Sequence, residues 1–146
     1  MKDQHTKELL EKLCKNIRSE KSTLICAIQK LNDKELVAET TCHIEKLSAL
    51  LSKAHTNLST LCKEHAADDT LQKMGTMLDM ELKTVTDASD KHVAQIMIDT
   101  VSAKMTDNIR LVRDYENTGC SEGALSLARC AVELDESSIE AIKTYL

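Results

Sequence analysis

Proline, phenylalanine and tryptophan are all absent from this 146-residue chain, and only three glycines and two tyrosines occur in it. Proline and glycine supply most tight turns, and aromatic and β-branched residues fill most strands. With the first two scarce and rings nearly missing, sheets and loop-rich folds are disfavoured. Long uninterrupted helices remain as the way to satisfy the backbone. The three glycines, Gly75, Gly119 and Gly123, are too few and too scattered for a phosphate-cradling loop or a dinucleotide fingerprint. No glycine-flanked serine or cysteine marks a nucleophile. These absences lower the case for an enzyme.

Other absences bear on partners and compartment. The net charge of -5 comes without a basic cluster, which argues against nucleic acid as a partner. No segment has the apolar length of a membrane span, and the polar, amphipathic start MKDQHTKELLEKLCK lacks the apolar core of a signal peptide. The expectation is a cytoplasmic protein without membrane contact. Cys14, Cys26, Cys42, Cys62, Cys120 and Cys130 form no tight pair, and most sit at or near apolar helical positions. They read as reduced thiols acting as small hydrophobes.

What is present is helical periodicity. Leu10, Ile17, Leu24 and Leu31 recur every seven residues, with Leu13, Cys14, Ala27 and Ile28 on the same face. Asn32-Asp33 closes this helix and caps the next. The second runs from about Asp33 to His65, with Val37, Ile44, Leu51 and Leu58 in one row and Leu47, Ala54 and Leu61 in another. So short a turn predicts an antiparallel hairpin. A shorter amphipathic stretch spans Leu71 to Val85, followed by a break at residues 86–90. Ile96, Met97, Val101, Met105, Ile109 and Val112 mark the next long helix, which stops near Asn117-Thr118-Gly119. Ser121 caps the last helix, carrying Ala124, Leu127, Ala128, Ala131, Leu134, Ile139 and Ile142, with a weak point expected at Asp135-Glu136-Ser137-Ser138. The whole predicts one domain over residues 1–146: an all-α antiparallel four-helix bundle with a helical crossover, in a ferritin-like layout.

Polar interruptions of an apolar seam are where chemistry would sit. They fall at Glu20 and Lys21 in the first helix, at Thr40 with Glu39 and His43 beside it in the second, and at Glu133 and Asp135 near the apolar face of the last. A buried carboxylate is costly unless paired or metal-bound, and inward carboxylates and histidines from several helices build bundle metal sites. Glu20, Glu39, His43 and Glu133 are the candidate ligands, for iron or manganese. The alternative places Glu20 just outside the seam, its carboxylate in water. Cys62 and His65 share a helical face, but no second half of a zinc site follows at usable spacing.

Two resemblances follow from these residues. Glu39-Thr40-Thr41-Cys42-His43-Ile44-Glu45-Lys46-Leu47 resembles the Glu-Thr-x-x-His-Val-Glu-Arg-Leu segment of bacterial ferritin-like stress proteins of the YciF type. Met74 to Glu81 is similar to that family's crossover helix, and Ser19-Glu20-Lys21 to its first-helix Ala-Glu-Lys. The resemblance implies a di-iron or di-manganese bundle. The family's third-helix Glu-His-x-Glu cluster has no counterpart near Val101-Ser102-Ala103-Lys104-Met105, only Glu133 stands for the acidic pair of the fourth helix, and Glu20 and Glu39 lie closer in sequence than in the family. Leu111, Tyr115, Ala124, Ala128, Ala131 and Glu133-Leu134-Asp135 resemble a single tetratricopeptide repeat, with no sister repeat to stack on. The functional expectation is a non-catalytic bundle, stress-related or structural, acting through a protein partner or self-association. The alternative is ferritin-like metal binding.

Overall fold

The computed structural model describes residues 2–61 and 89–146. These form four helices: α1 (Lys2–Ile28), α2 (Lys34–Leu61), α3 (Asp90–Tyr115) and α4 (Glu122–Lys143). No strand occurs among the described residues, and no helix there is long and apolar enough to cross a membrane. The stretch expected as a crossover helix, including Met74 to Glu81, lies outside the described residues. So does the Cys62–His65 pair.

Local signals set the helix ends. Asp33 Oδ1 accepts from the backbone N–H of Glu35 (2.8 Å) and Leu36 (3.2 Å), capping α2 as its position suggests. Ser89 accepts from His92 N–H at the start of α3, and Ser121 from Ala124 N–H at the start of α4. Gly119 takes φ of +81°, the left-handed conformation that lets the chain turn back after α3.

Long-range bonds fix the directions. Lys12 donates to Tyr115 and Asn16 to Asn108, while at the other end Asp90 accepts from the backbone N–H of Asn32 (2.8 Å) and Asp33 (2.7 Å). Helices α1 and α3 are therefore antiparallel. On the opposite side the Ser121 N–H donates to Thr6 near the start of α1 and Asp135 lies beside Glu20, so α4 runs parallel to α1 and antiparallel to α2. Each hairpin, α1–α2 and α3–α4, reverses direction at its turn. The order is up, down, down, up, with α1 and α4 in contact across one diagonal and no contact between the parallel α2 and α3 across the other. The end of α2 and the start of α3 thus lie at opposite ends of the bundle.

Aliphatic side chains fill the interior. Leu9, Leu10, Leu13, Ile17 and Leu24 of α1 pack with Leu36 and Leu47 of α2, Val93 and Met97 of α3, and Ile142 of α4, all 2% exposed or less. Burying such a side chain stabilises the fold by about 1.5–3 kcal/mol. Two expectations are corrected. In α2 the buried face is Leu36, Thr40, His43, Leu47, Leu50, Leu51 and Ala54, which holds Leu47, Leu51 and Ala54 of the expected rows. The row Val37, Ile44 and Leu58 lies at its edge, only partly buried, and Leu61 is exposed. In α4 no weak point interrupts residues 135–138: the helix is continuous, and Asp135 and Ser138 face inward.

Candidate functional site

The inward rows of three helices meet at three ionisable side chains. In α1 the row is Leu10, Leu13, Ile17, Glu20, Leu24 and Ala27, and in α4 it is Ala124, Ala128, Ala131, Asp135, Ser138 and Ile142. Each advances by alternating steps of three and four residues, the spacing that keeps one helix face toward its neighbours. Glu20, His43 and Asp135 are row members, so the periodicity that buries the leucines buries them too. Their exposures are 1%, 6% and 0%.

The three converge on one point. His43 Nε2 lies 2.8 Å from Glu20 Oε2, in a hydrogen bond, and 3.4 Å from Asp135 Oδ1. One donor atom from each residue falls within 4.8 Å of the other two. Glu20 Oε1 and both Asp135 oxygens are buried with no hydrogen-bond partner. The contrast with nearby polar groups is sharp. Thr23, Thr40 and Thr100 are equally buried, but each donates to a carbonyl four residues back in its own helix. Among the described residues only the trio keeps unmet buried side-chain acceptors, and an unmet buried acceptor costs about 1–3 kcal/mol.

Electrostatics follow from this packing. Burial lifts the Glu20 carboxyl well above the ordinary carboxylate range. The hydrogen bond from His43 opposes that rise, Asp135 reinforces it, and the rise prevails. For His43, burial is the largest single influence and disfavours the imidazolium. Asp135 and Glu20 together outweigh it and raise the ring to about 9. Without a cation from elsewhere, the cluster holds its carboxyl groups together by retaining protons.

The structure brings together two of the four sequence candidates, Glu20 and His43. The alternative reading of Glu20 as a water-facing group is corrected by its burial. Glu39 is exposed, on the wall of a cavity of about 250 Å³ between α2 and α4, which His43, Cys42, Lys46, Leu134 and Ser138 also line. Glu133 is exposed in a separate groove between α3 and α4, beside Arg113 and Arg129. Asp135 takes the inward position on α4. The signal for it was the step pattern 124, 128, 131, 135, which passes through Asp135 and misses Glu133. On α3 the register set by Asn16 and Asn108 brings Lys104 level with Glu20, and its Nζ turns to Asp107 at 3.8 Å. That helix contributes no carboxylate to the trio.

No family model, curated protein or solved structure matches this chain. The likeness to ferritin-like stress proteins rests on the quoted residues alone.

Proposed function

We propose that this bundle binds a single divalent transition-metal ion through Glu20, His43 and Asp135. The observation that carries the reading is the set of buried carboxylate oxygens without partners around the His43 ring. One ion with bonds near 2.0–2.2 Å holds its donors about 3–3.5 Å apart, close to the 2.8 and 3.4 Å separations already present. Two carboxylates and one imidazole suit iron, manganese or zinc rather than a thiolate-seeking ion. Two carboxylates and a neutral imidazole also balance a dipositive charge, which removes the need for retained protons. Three protein donors leave room on the ion for water or a small molecule.

The up-down-down-up order supports a ferritin-like layout, since such bundles carry one long crossover. A two-metal centre finds less support, because α3 adds no ligand at this level. A bundle acting only through protein contacts has less to carry it: among the described residues the exposed large apolar side chains are Leu61 at one end and Ile25 and Leu146 at the other.

Metal analysis of protein purified without chelator, with titration of stripped protein by Mn²⁺, Fe²⁺ and Zn²⁺, tests the proposal. One equivalent per chain is expected, lost in Glu20→Ala. No uptake of any of the three ions would overturn it.

A further inference from the structure

A buried trio needs a route for its ion. Glu20 and Asp135 are sealed, and His43 is the member of the trio that lines the cavity between α2 and α4. The other metal-ligating side chains on that wall are Glu39 and Cys42, both exposed. Glu39 lies three residues before Cys42 and four before His43, one helical turn from each, and all three line the same cavity. Size permits the passage. Six waters at about 30 Å³ each occupy about 180 Å³, so a hydrated divalent ion fits a cavity of about 250 Å³.

Resting on the metal-binding reading above, we infer that Glu39 and Cys42 form a capture site that hands a divalent ion inward past His43. The Glu39 carboxylate and the Cys42 sulfur replace part of the ion's water shell at the cavity mouth. The Cys42 thiol gives its proton to solvent on binding and regains it when the ion leaves. His43 and the two buried carboxylates then displace these outer ligands. A relay must also release. Lys46, one turn beyond Cys42 on the same wall, brings a positive charge that repels a resident cation and keeps the outer position weak.

Cobalt(II) is the probe, because a thiolate–cobalt bond absorbs in the near ultraviolet and the ion substitutes for zinc or iron. Stripped full-length protein is mixed with Co²⁺ in a stopped-flow spectrometer. Wild type is expected to show a thiolate band that rises and then decays as one equivalent settles inside. Cys42→Ser should abolish the transient, and both Cys42→Ser and Glu39→Gln should slow loading about tenfold or more, with the final stoichiometry still one. Cys130→Ser, on the exposed surface of α4, should load as wild type does. Lys46→Met should prolong the transient. Unchanged loading rates in both Cys42→Ser and Glu39→Gln, with normal final uptake, would overturn the relay alone. A thiolate band that persists at equilibrium would also overturn it, by making Cys42 a resident ligand. Failure of wild type to take up cobalt at all would remove the metal site itself and the relay with it.

Discussion

His43 on α2 holds its Nε2 2.8 Å from Oε2 of Glu20 on α1, inside an interface made mostly of leucine, isoleucine and alanine. A lone buried ion pair gains little, because desolvation offsets its attraction. The pair gains a purpose from the third member: Asp135 arrives from α4 with both oxygens unsatisfied.

Which acid of α4 matters is directly testable. Asp135→Asn keeps the side-chain volume and removes one anionic donor, so metal uptake should fall at least tenfold, about 1.4 kcal/mol. Glu133→Gln, on the exposed surface, should leave uptake unchanged and stability within about 0.5 kcal/mol. Isothermal titration of both variants decides between them. Loss of binding in Glu133→Gln with retention in Asp135→Asn would contradict the site.

The metal-free protein should weaken as the solution becomes alkaline. His43 titrates near 6.5 in an open chain and near 9 in the fold, so between these values the folded state holds more protons than the unfolded one. Stability then falls with rising pH, by at most about 1.4 kcal/mol per pH unit for each proton so held. Glu20, raised from 4.5, acts in the same direction from that pH upward. Its contribution is complete below 4.5, and that of His43 below 6.5. Urea unfolding in EDTA at pH 6.5, 7.5 and 9 should show the decline, and His43→Gln should flatten it. A rise in stability across this window would refute the protonation scheme.

Metal binding should reverse that trend and release protons. The ion displaces the proton of His43, about one per ion near neutral pH, and any proton that burial keeps on Glu20 adds to it. Calorimetric titration in buffers of different ionisation enthalpy reads the number directly. Apparent affinity should also climb with pH, and chelation should lower the melting temperature. A proton count near zero would show that the ion binds elsewhere.

Much of this architecture was readable from residue spacing, because one periodicity governs both the core and its interruptions. The rows through Ile17 and Leu24 in α1 and through Ala128 and Ala131 in α4 fix the buried face, and Glu20 lies on the first. Asp135 lies just as squarely on the second. Glu133, two positions away and so turned about 200° around the helix, could not share that face. In α2 Leu47, Leu51 and Ala54 of the two expected rows are buried, but Val37, Ile44 and Leu58, though more apolar than Thr40 and His43, sit at the edge of the buried face. Hydrophobicity drew attention to the edge of the helix and away from its centre. The convergence of residues from three helices depends on tertiary register, which the Asn16–Asn108 bond and the Asp90 cap help to set, and no local pattern announces it.

The turn between α3 and α4 offers an independent check on the fold. Gly119 adopts φ of +81° with open space around the position a β-carbon would take. Gly119→Ala should therefore destabilise through backbone strain alone, by about 1 kcal/mol. Thermal melting compared with Gly123→Ala, a helical position with equal space and no positive φ, isolates that strain. Equal effects at the two glycines would remove the explanation.

The trio also imposes an order of events during synthesis. Glu20 and His43 belong to one hairpin and emerge first, whereas Asp135 follows His43 by 92 residues. The nascent α1–α2 hairpin can bring together an acid and an imidazole, but the second acid joins only after α4 has left the ribosome. An ion held by all three would therefore be a latch on the assembled bundle, closing when α4 docks.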